Sequence, residues 1–160
     1  MKVKLIKDED FVNYKKSSMF IGLGSCDWKC CKEAHIPITI CQNCELAQQK
    51  DVEMEIGQIY NRYIQNKFTN AIVIGGLEPL TQFNDIVNLI SYFRNRGCMD
   101  DFVIYTGYYK DEISDCLNTL SDFKNIVVKF GRFKPNESKH IDNILGVKLI
   151  SNNQYAEKIS

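Results

Sequence analysis

The stretch GSCDWKCCKEAHIPITICQNC, Gly24 to Cys44, holds five of the chain's seven cysteines, at positions 26, 30, 31, 41 and 44. Thiolates are the ligands of zinc and of iron–sulfur clusters, so a run this dense points to metal or redox chemistry. Cys26 and Cys30 flank Asp-Trp-Lys, and a tight loop brings both thiols to one centre. Cys31, adjacent to Cys30, is expected to point elsewhere. Ten residues separate Cys30 from Cys41, and two separate Cys41 from Cys44. One reading is a four-thiolate zinc staple on Cys26, Cys30, Cys41 and Cys44. The other is an iron–sulfur cluster on three of them, with one iron left open for a substrate or cofactor. A staple is most useful where a core is too small to hold itself together. Spacing alone leaves both open.

A second motif, GGLEPL, runs from Gly75 to Leu80. Two glycines let the backbone approach a ligand closely, Glu78 adds an acceptor, and Pro79 stiffens the exit into a helix. Standing alone, it is equally an ordinary Gly-rich turn.

The elements that must position these motifs follow a regular rhythm. Short apolar runs at Met19–Gly24, Ala71–Gly76, Phe102–Gly107 and Asn125–Phe130 read as strands buried on both faces. Gly146–Ile150 reads as one more near the end. Between them, Val52, Ile56, Ile59, Tyr60, Tyr63 and Ile64 fall at helical spacing, as do Phe83, Ile86, Ile90 and Phe93, and then Ile113, Cys116, Leu117 and Leu120. Strand alternating with helix predicts an α/β fold with a mostly parallel sheet. Ligands of such folds sit beyond the carboxyl ends of the strands, which is where both motifs fall.

A chain of 160 residues suits one domain, residues 1–160, with its own core. Twenty basic and twenty acidic residues cancel without forming a basic stripe, which argues against nucleic acid as a partner. The first twenty residues have neither the apolar core of a signal peptide nor a membrane span, so no membrane association and a cytoplasmic location are expected. In that reducing compartment, an odd number of cysteines favours metal or redox chemistry over disulfides. Cys98 and Cys116, apart from the cluster and on apparent helix positions, read as small core residues. His35 reads as an exposed loop residue, and His140 has no partner pattern that would make it an acid or base.

Taken together, CDWKC after the first strand and GGLEP after the second resemble the radical S-adenosylmethionine (SAM) enzymes, whose usual motifs are CxxxCxxC and GGEP. Within that superfamily the chain looks most like the activating proteins of anaerobic ribonucleotide reductase. Their third cysteine opens a Cys-x-Asn ending, as Cys41–Asn43 does here. YTGY (Tyr105–Tyr108), GRF (Gly131–Phe133) and SNNQYAEKI (Ser151–Ile159) resemble further segments of the same family, so the likeness spans about Met19 to Ile159. Two departures stand out: the wide gap between the second and third cysteines, and Leu77 inserted into the glycine motif.

The resemblance implies a shortened, incomplete radical SAM (βα) barrel, open on one side. It implies Cys26, Cys30 and Cys41 as ligands of a [4Fe-4S] cluster whose free iron is chelated by SAM. Cys26, Cys41 and Cys44, spaced CX14CX2C, resemble the arrangement in some radical SAM deazaguanine enzymes and form the rival set. Gly75 and Gly76 would then lie near the methionine amino group with Glu78 shaping the turn, the backbone at Ile40 near adenine, and Thr106 near the carboxylate. Reductive cleavage of SAM would give methionine and a 5'-deoxyadenosyl radical, which takes a hydrogen from a glycine of the reductase large subunit. A small electron-donor protein is implied as well. No side-chain acid or base is needed for that step. The competing expectations are a radical SAM enzyme acting on a small molecule and a non-enzymatic zinc interaction module.

Overall fold

A computed structural model describes residues 1–160. Nine strands form: β1 (Lys2–Asp10), β2 (Ser18–Leu23), β3 (Val52–Glu53), β4 (Ala71–Gly76), β5 (Asp101–Tyr105), β6 (Ile126–Phe130), β7 (His140–Asp142), β8 (Val147–Leu149) and β9 (Tyr155–Lys158). The five α-helices are α1 (Lys29–Glu33), α2 (Cys44–Gln48), α3 (Ile56–Gln65), α4 (Phe83–Arg94) and α5 (Ser114–Ser121). Seven strands make one sheet in the order β3-β1-β2-β4-β5-β6-β9. The central β2, β4, β5 and β6 are parallel, while β1, β3 and β9 pair antiparallel at the edges. The sheet does not close, so the fold is an α/β half-barrel, mostly parallel at its centre.

The continuous apolar runs have a simple cause, since successive side chains of a strand point to opposite faces and both faces of this sheet are covered. On one face Ile21, Ile74, Ile104 and Val128 pack with Ile59, Ile86, Leu89, Ile90 and Phe93 of the helices. Each such side chain contributes about 1.5–3 kcal/mol on burial, so this core dominates stability. On the other face, Val73, Val103 and Val127 pack under Tyr14, Leu145 and Leu149, which come from the β1–β2 connection and the β7–β8 hairpin. The cavity described below opens on that face, at the carboxyl ends of the parallel strands.

Four details depart from the expectations above. Val52 is not helical; it pairs with Val3 in the β1–β3 edge, and α3 starts at Ile56 behind a capping box of Glu55 and Gln58. Cys98 lies past the end of α4, in the turn before β5, where its thiol faces Asp100 Oδ2 at 3.6 Å. Val147–Leu149 is a strand, but it pairs with His140–Asp142 in a separate hairpin. The N-terminal β1 and the last strand β9 add antiparallel edges, with β9 anchored to β6. Cys116 does sit on a helix, α5, and packs partly buried against the helix-side core. No helix is long and apolar enough to cross a membrane.

Candidate metal centre

The cysteine loop leaves β2 at its carboxyl end. Asp27 Oδ1 accepts the Lys29 N–H at 3.1 Å, and Trp28 takes a left-handed conformation with φ 58°, an uncommon state for a bulky residue. This turn folds the chain back so that the Trp28 N–H reaches Cys26 Sγ at 3.3 Å, and α1 begins directly after it. Cys30 and Cys31 therefore sit on a helical turn rather than an extended segment. Helical neighbours diverge by about 100° instead of pointing oppositely, so their sulfurs lie only 3.9 Å apart. Cys31, expected to point away, is buried beside Cys30.

The chain then runs through an exposed segment containing His35, Ile38 and Ile40 and returns in a short 3-10 turn, Ile38–Ile40, to Cys41. There Cys41 comes beside Cys30, and the interaction of the two thiols holds Cys30 below its ordinary pKa and Cys41 above it, burial adding to the latter. Burial is the main cause of the rise of Cys26 to about 11. Cys26, Cys30 and Cys41 line one cavity of about 320 Å³. Cys44, first residue of α2, is not on its wall, and Ile40 is half exposed, 51%, outside it. No three His, Cys, Asp or Glu side chains converge on one point as a single ion would need. A cubane takes one thiolate per iron corner, so three thiols spread along one wall suit it.

Gly75 and Gly76 form the wall next to these thiols. A Cβ on Gly75 would meet the Phe20 ring at 3.2 Å; one on Gly76, where φ is +86°, would meet Leu46 at 2.8 Å and Gly22 Cα at 3.0 Å. Bare backbone at this turn is thus a packing requirement, and it leaves peptide groups facing the cavity. The turn is tied to both ends of the cysteine loop. The Glu78 N–H donates to Ser25 O at 2.9 Å and Asn43 Nδ2 to Gly76 O at 2.5 Å, so two motifs distant in sequence form one unit.

Glu78 is 6% exposed and its carboxylate joins two strand ends. Oε1 accepts from Leu80 N at 3.1 Å and Thr106 Oγ1 at 2.8 Å, and Oε2 from Gly107 N at 2.8 Å. Burial raises its pKa while these three donors favour the charged form. Thr106 lies on the cavity wall, its hydroxyl donating to Glu78 and accepting from the Tyr108 N–H.

Two residues of the site have no role of their own in the sequence reading. Lys129, on β6, lines the cavity at 6% exposure, and its ammonium donates to Gly131 O at 2.9 Å. Burial pushes its pKa down to about 8, against the opposing pull of Glu78 and Cys30. Its signal was present in IVVKF, a lone charge inside a strand otherwise wholly apolar. Arg132, just beyond β6, is 3% exposed and grips two carboxylates. Its guanidinium reaches Glu33 Oε2 at 2.8 Å, Glu112 Oε2 at 2.8 Å and Glu112 Oε1 at 2.6 Å, while Lys29 Nζ also meets Glu112 Oε1 at 2.5 Å. With Tyr108 donating to Asp27 at 2.6 Å, these pairs fasten Asp27–Glu33 to the ends of β5 and β6. Glu112 is held at about 2, the Arg132 hydrogen bonds being the main cause.

Residues 18–155, most of the chain from β2 to the start of β9, match a family model described as a 4Fe-4S single cluster domain. No curated protein matches the sequence.

Proposed function

Since the chain belongs to the 4Fe-4S single cluster domain family, an iron–sulfur family associated with radical SAM chemistry, we propose that it cleaves SAM reductively and activates a glycyl-radical protein, the large subunit of an anaerobic ribonucleotide reductase. The observation that carries this reading is the shared wall of the cavity. Cys26, Cys30 and Cys41 stand beside the bare backbone of Gly75 and Gly76, and the cavity between them has the size of a small-molecule site.

Cys26, Cys30 and Cys41 would hold the [4Fe-4S] cluster, and the peptide groups of Gly75 and Gly76 would receive the amino-acid end of SAM. When bound, the cluster supplies one electron to the sulfonium, splitting a carbon–sulfur bond into methionine and a 5'-deoxyadenosyl radical. The protein's own part is positional. Glu78 holds the β4 and β5 turns together, Asn43 keeps the third thiol against the glycine turn, and the Arg132 network fixes the first two thiols. The cavity is open rather than sealed, which suits a partner that brings its reacting glycine on its own chain. A small electron-donor protein completes the scheme by reducing the cluster.

The deciding experiment reconstitutes the protein anaerobically with iron and sulfide, then adds SAM, a reductant and the candidate reductase. The expected results are methionine and 5'-deoxyadenosine in equal amounts and a glycyl-radical doublet on the partner by electron paramagnetic resonance. Turnover of a small substrate with no partner protein present would replace this reading with the small-molecule one. A colourless protein holding one zinc and no sulfide would end it altogether.

A further inference from the structure

The β7–β8 hairpin has a free edge, and that edge borders the cavity. Val147, Lys148, Leu149 and Ile150 line the cavity in unbroken succession. Side chains of a strand alternate between two faces, so residues in direct succession share one wall through the main chain. The side chains agree: Val147 and Leu149 pack into the valine-side core, and Lys148 is exposed. β7 is the only strand paired with β8, and no hydrogen bond from outside the hairpin reaches the backbone of Val147–Leu149. The outer strands of the large sheet, β3 and β9, do not border the cavity.

A free edge presents N–H and C=O groups at the spacing of another extended chain, which makes it a template for one. A second copy of this chain is a poor occupant. β8 has three residues with Lys148 at the centre, so symmetric antiparallel pairing of two such edges sets Lys148 against Lys148, and like charges directly opposite are destabilising. A strand from another protein meets no such bar. Gln42, exposed on the cysteine-loop wall with no intramolecular hydrogen bond of its side chain, adds an amide able to pair with a peptide group of that strand. From a strand so placed, an α-carbon comes directly against the cavity only where no side chain intervenes, which is at a glycine.

Resting on the glycyl-radical reading above, we propose that the outer edge of β8 docks an extended segment of the partner protein, the one that carries the reacting glycine, which joins the β7–β8 hairpin as a third strand. Main-chain hydrogen bonds then hold the segment in register along the cavity wall, and the reacting residue is selected by its lack of a side chain.

The probes are synthetic peptides spanning the radical glycine of the candidate reductase large subunit, used on the reconstituted protein as competitors of glycyl-radical formation on the intact subunit. Single N-methyl groups are placed at successive positions along the peptide. Alternate N–H groups of an added strand point at its neighbour, so competition is expected to weaken by about threefold to tenfold at every second position and to change little in between. Lys148→Ala should keep that alternation, because the main chain does the binding. In hydrogen exchange, the intact subunit should slow the amides of Val147–Leu149 and leave those of β9 unchanged. Peptides that do not compete, an even loss at all positions, a Lys148→Ala variant that no longer binds them, or unslowed β8 amides each overturn the docking site, while radical formation on the intact subunit keeps the activase reading. A free protein that is dimeric in analytical ultracentrifugation, with its β8 amides already slowed, gives the edge to a second copy and overturns it too. Absence of any 5'-deoxyadenosine from SAM and reductant overturns the radical SAM reading and the docking site with it.

Discussion

The two halves of the cysteine loop are built differently. Asp27–Glu33, which carries Cys30 and follows Cys26, is fastened to the ends of β5 and β6 by Arg132, Glu112, Lys29 and the Tyr108–Asp27 bond. Residues 34–41 are mostly exposed and are held by their own short turns, such as Ile36 N to Cys31 O and Cys41 N to Ile38 O. Only beyond Cys41 does a strong tether return, from Asn43 to Gly76 O. The first two thiols are thus placed by tertiary ion pairs, and the third by local turns and one side chain. The segment between is mostly exposed and carries no tether to the sheet among its own turns, the usual condition of a loop whose length can vary.

The largest expected effect separates thiols that face the cavity from the one that does not. Cys26→Ala, Cys30→Ala and Cys41→Ala should each abolish retention of the cluster, read as iron and sulfide per chain, whereas Cys44→Ala should keep it. The reverse result for residues 30 and 44 would establish the rival ligand set.

Next comes the clamp. Arg132→Met should destabilise the apo-protein by about 2 kcal/mol in urea unfolding, less than a fully buried pair would, because Glu112 and Glu33 reach solvent. Asn43→Ala should cost only about 1 kcal/mol of stability yet release iron faster than Arg132→Met does, since it frees the third thiol alone. If both variants lose iron at the same rate, the two halves are not independent.

A pH series sharpens the same contrast. Glu112 is held at about 2 in the folded protein, below the ordinary carboxylate value, so its contribution is complete above that ordinary value and fades as pH falls towards about 2. Urea midpoints of apo-protein should therefore drop across that acidic window, and Arg132→Met should flatten the drop. The smallest effect belongs to the exposed segment: Ile38→Ser and Ile40→Ser should change stability by no more than about 0.5 kcal/mol.

Legibility in the sequence followed burial. β2, β4, β5 and β6 stand out because both their faces are covered, which demands unbroken apolar runs such as AIVIGG. β9, with the residues YAEK, leaves no such trace, because an edge strand with one solvated face tolerates charge. In β1, KVKLIKDED, the alternation of charge with apolar residues was visible and not taken as a strand. Val52 matched a helical stripe by chance of spacing; its pairing with Val3 is a long-range contact that no local period reports. The site divides in the same way. CDWKC, CQN and GGLEP carry their chemistry in local order, so the thiols and glycines were readable. Arg132 and Glu112 are not, being twenty residues apart and ordinary in context.

The sequence by itself determined the parallel α/β core, the position of both motifs at strand ends and the candidate cluster thiols, because apolar periodicity and short motifs are local properties of the chain. Only the tertiary structure decided that Cys31 turns beside Cys30, that Cys44 stands off the cavity wall, that Thr106 is bound to Glu78 and that Lys129 is left with free donors. Those outcomes depend on which groups meet across the sheet and on how many of their hydrogen bonds are filled, and neither is written in any one stretch of residues.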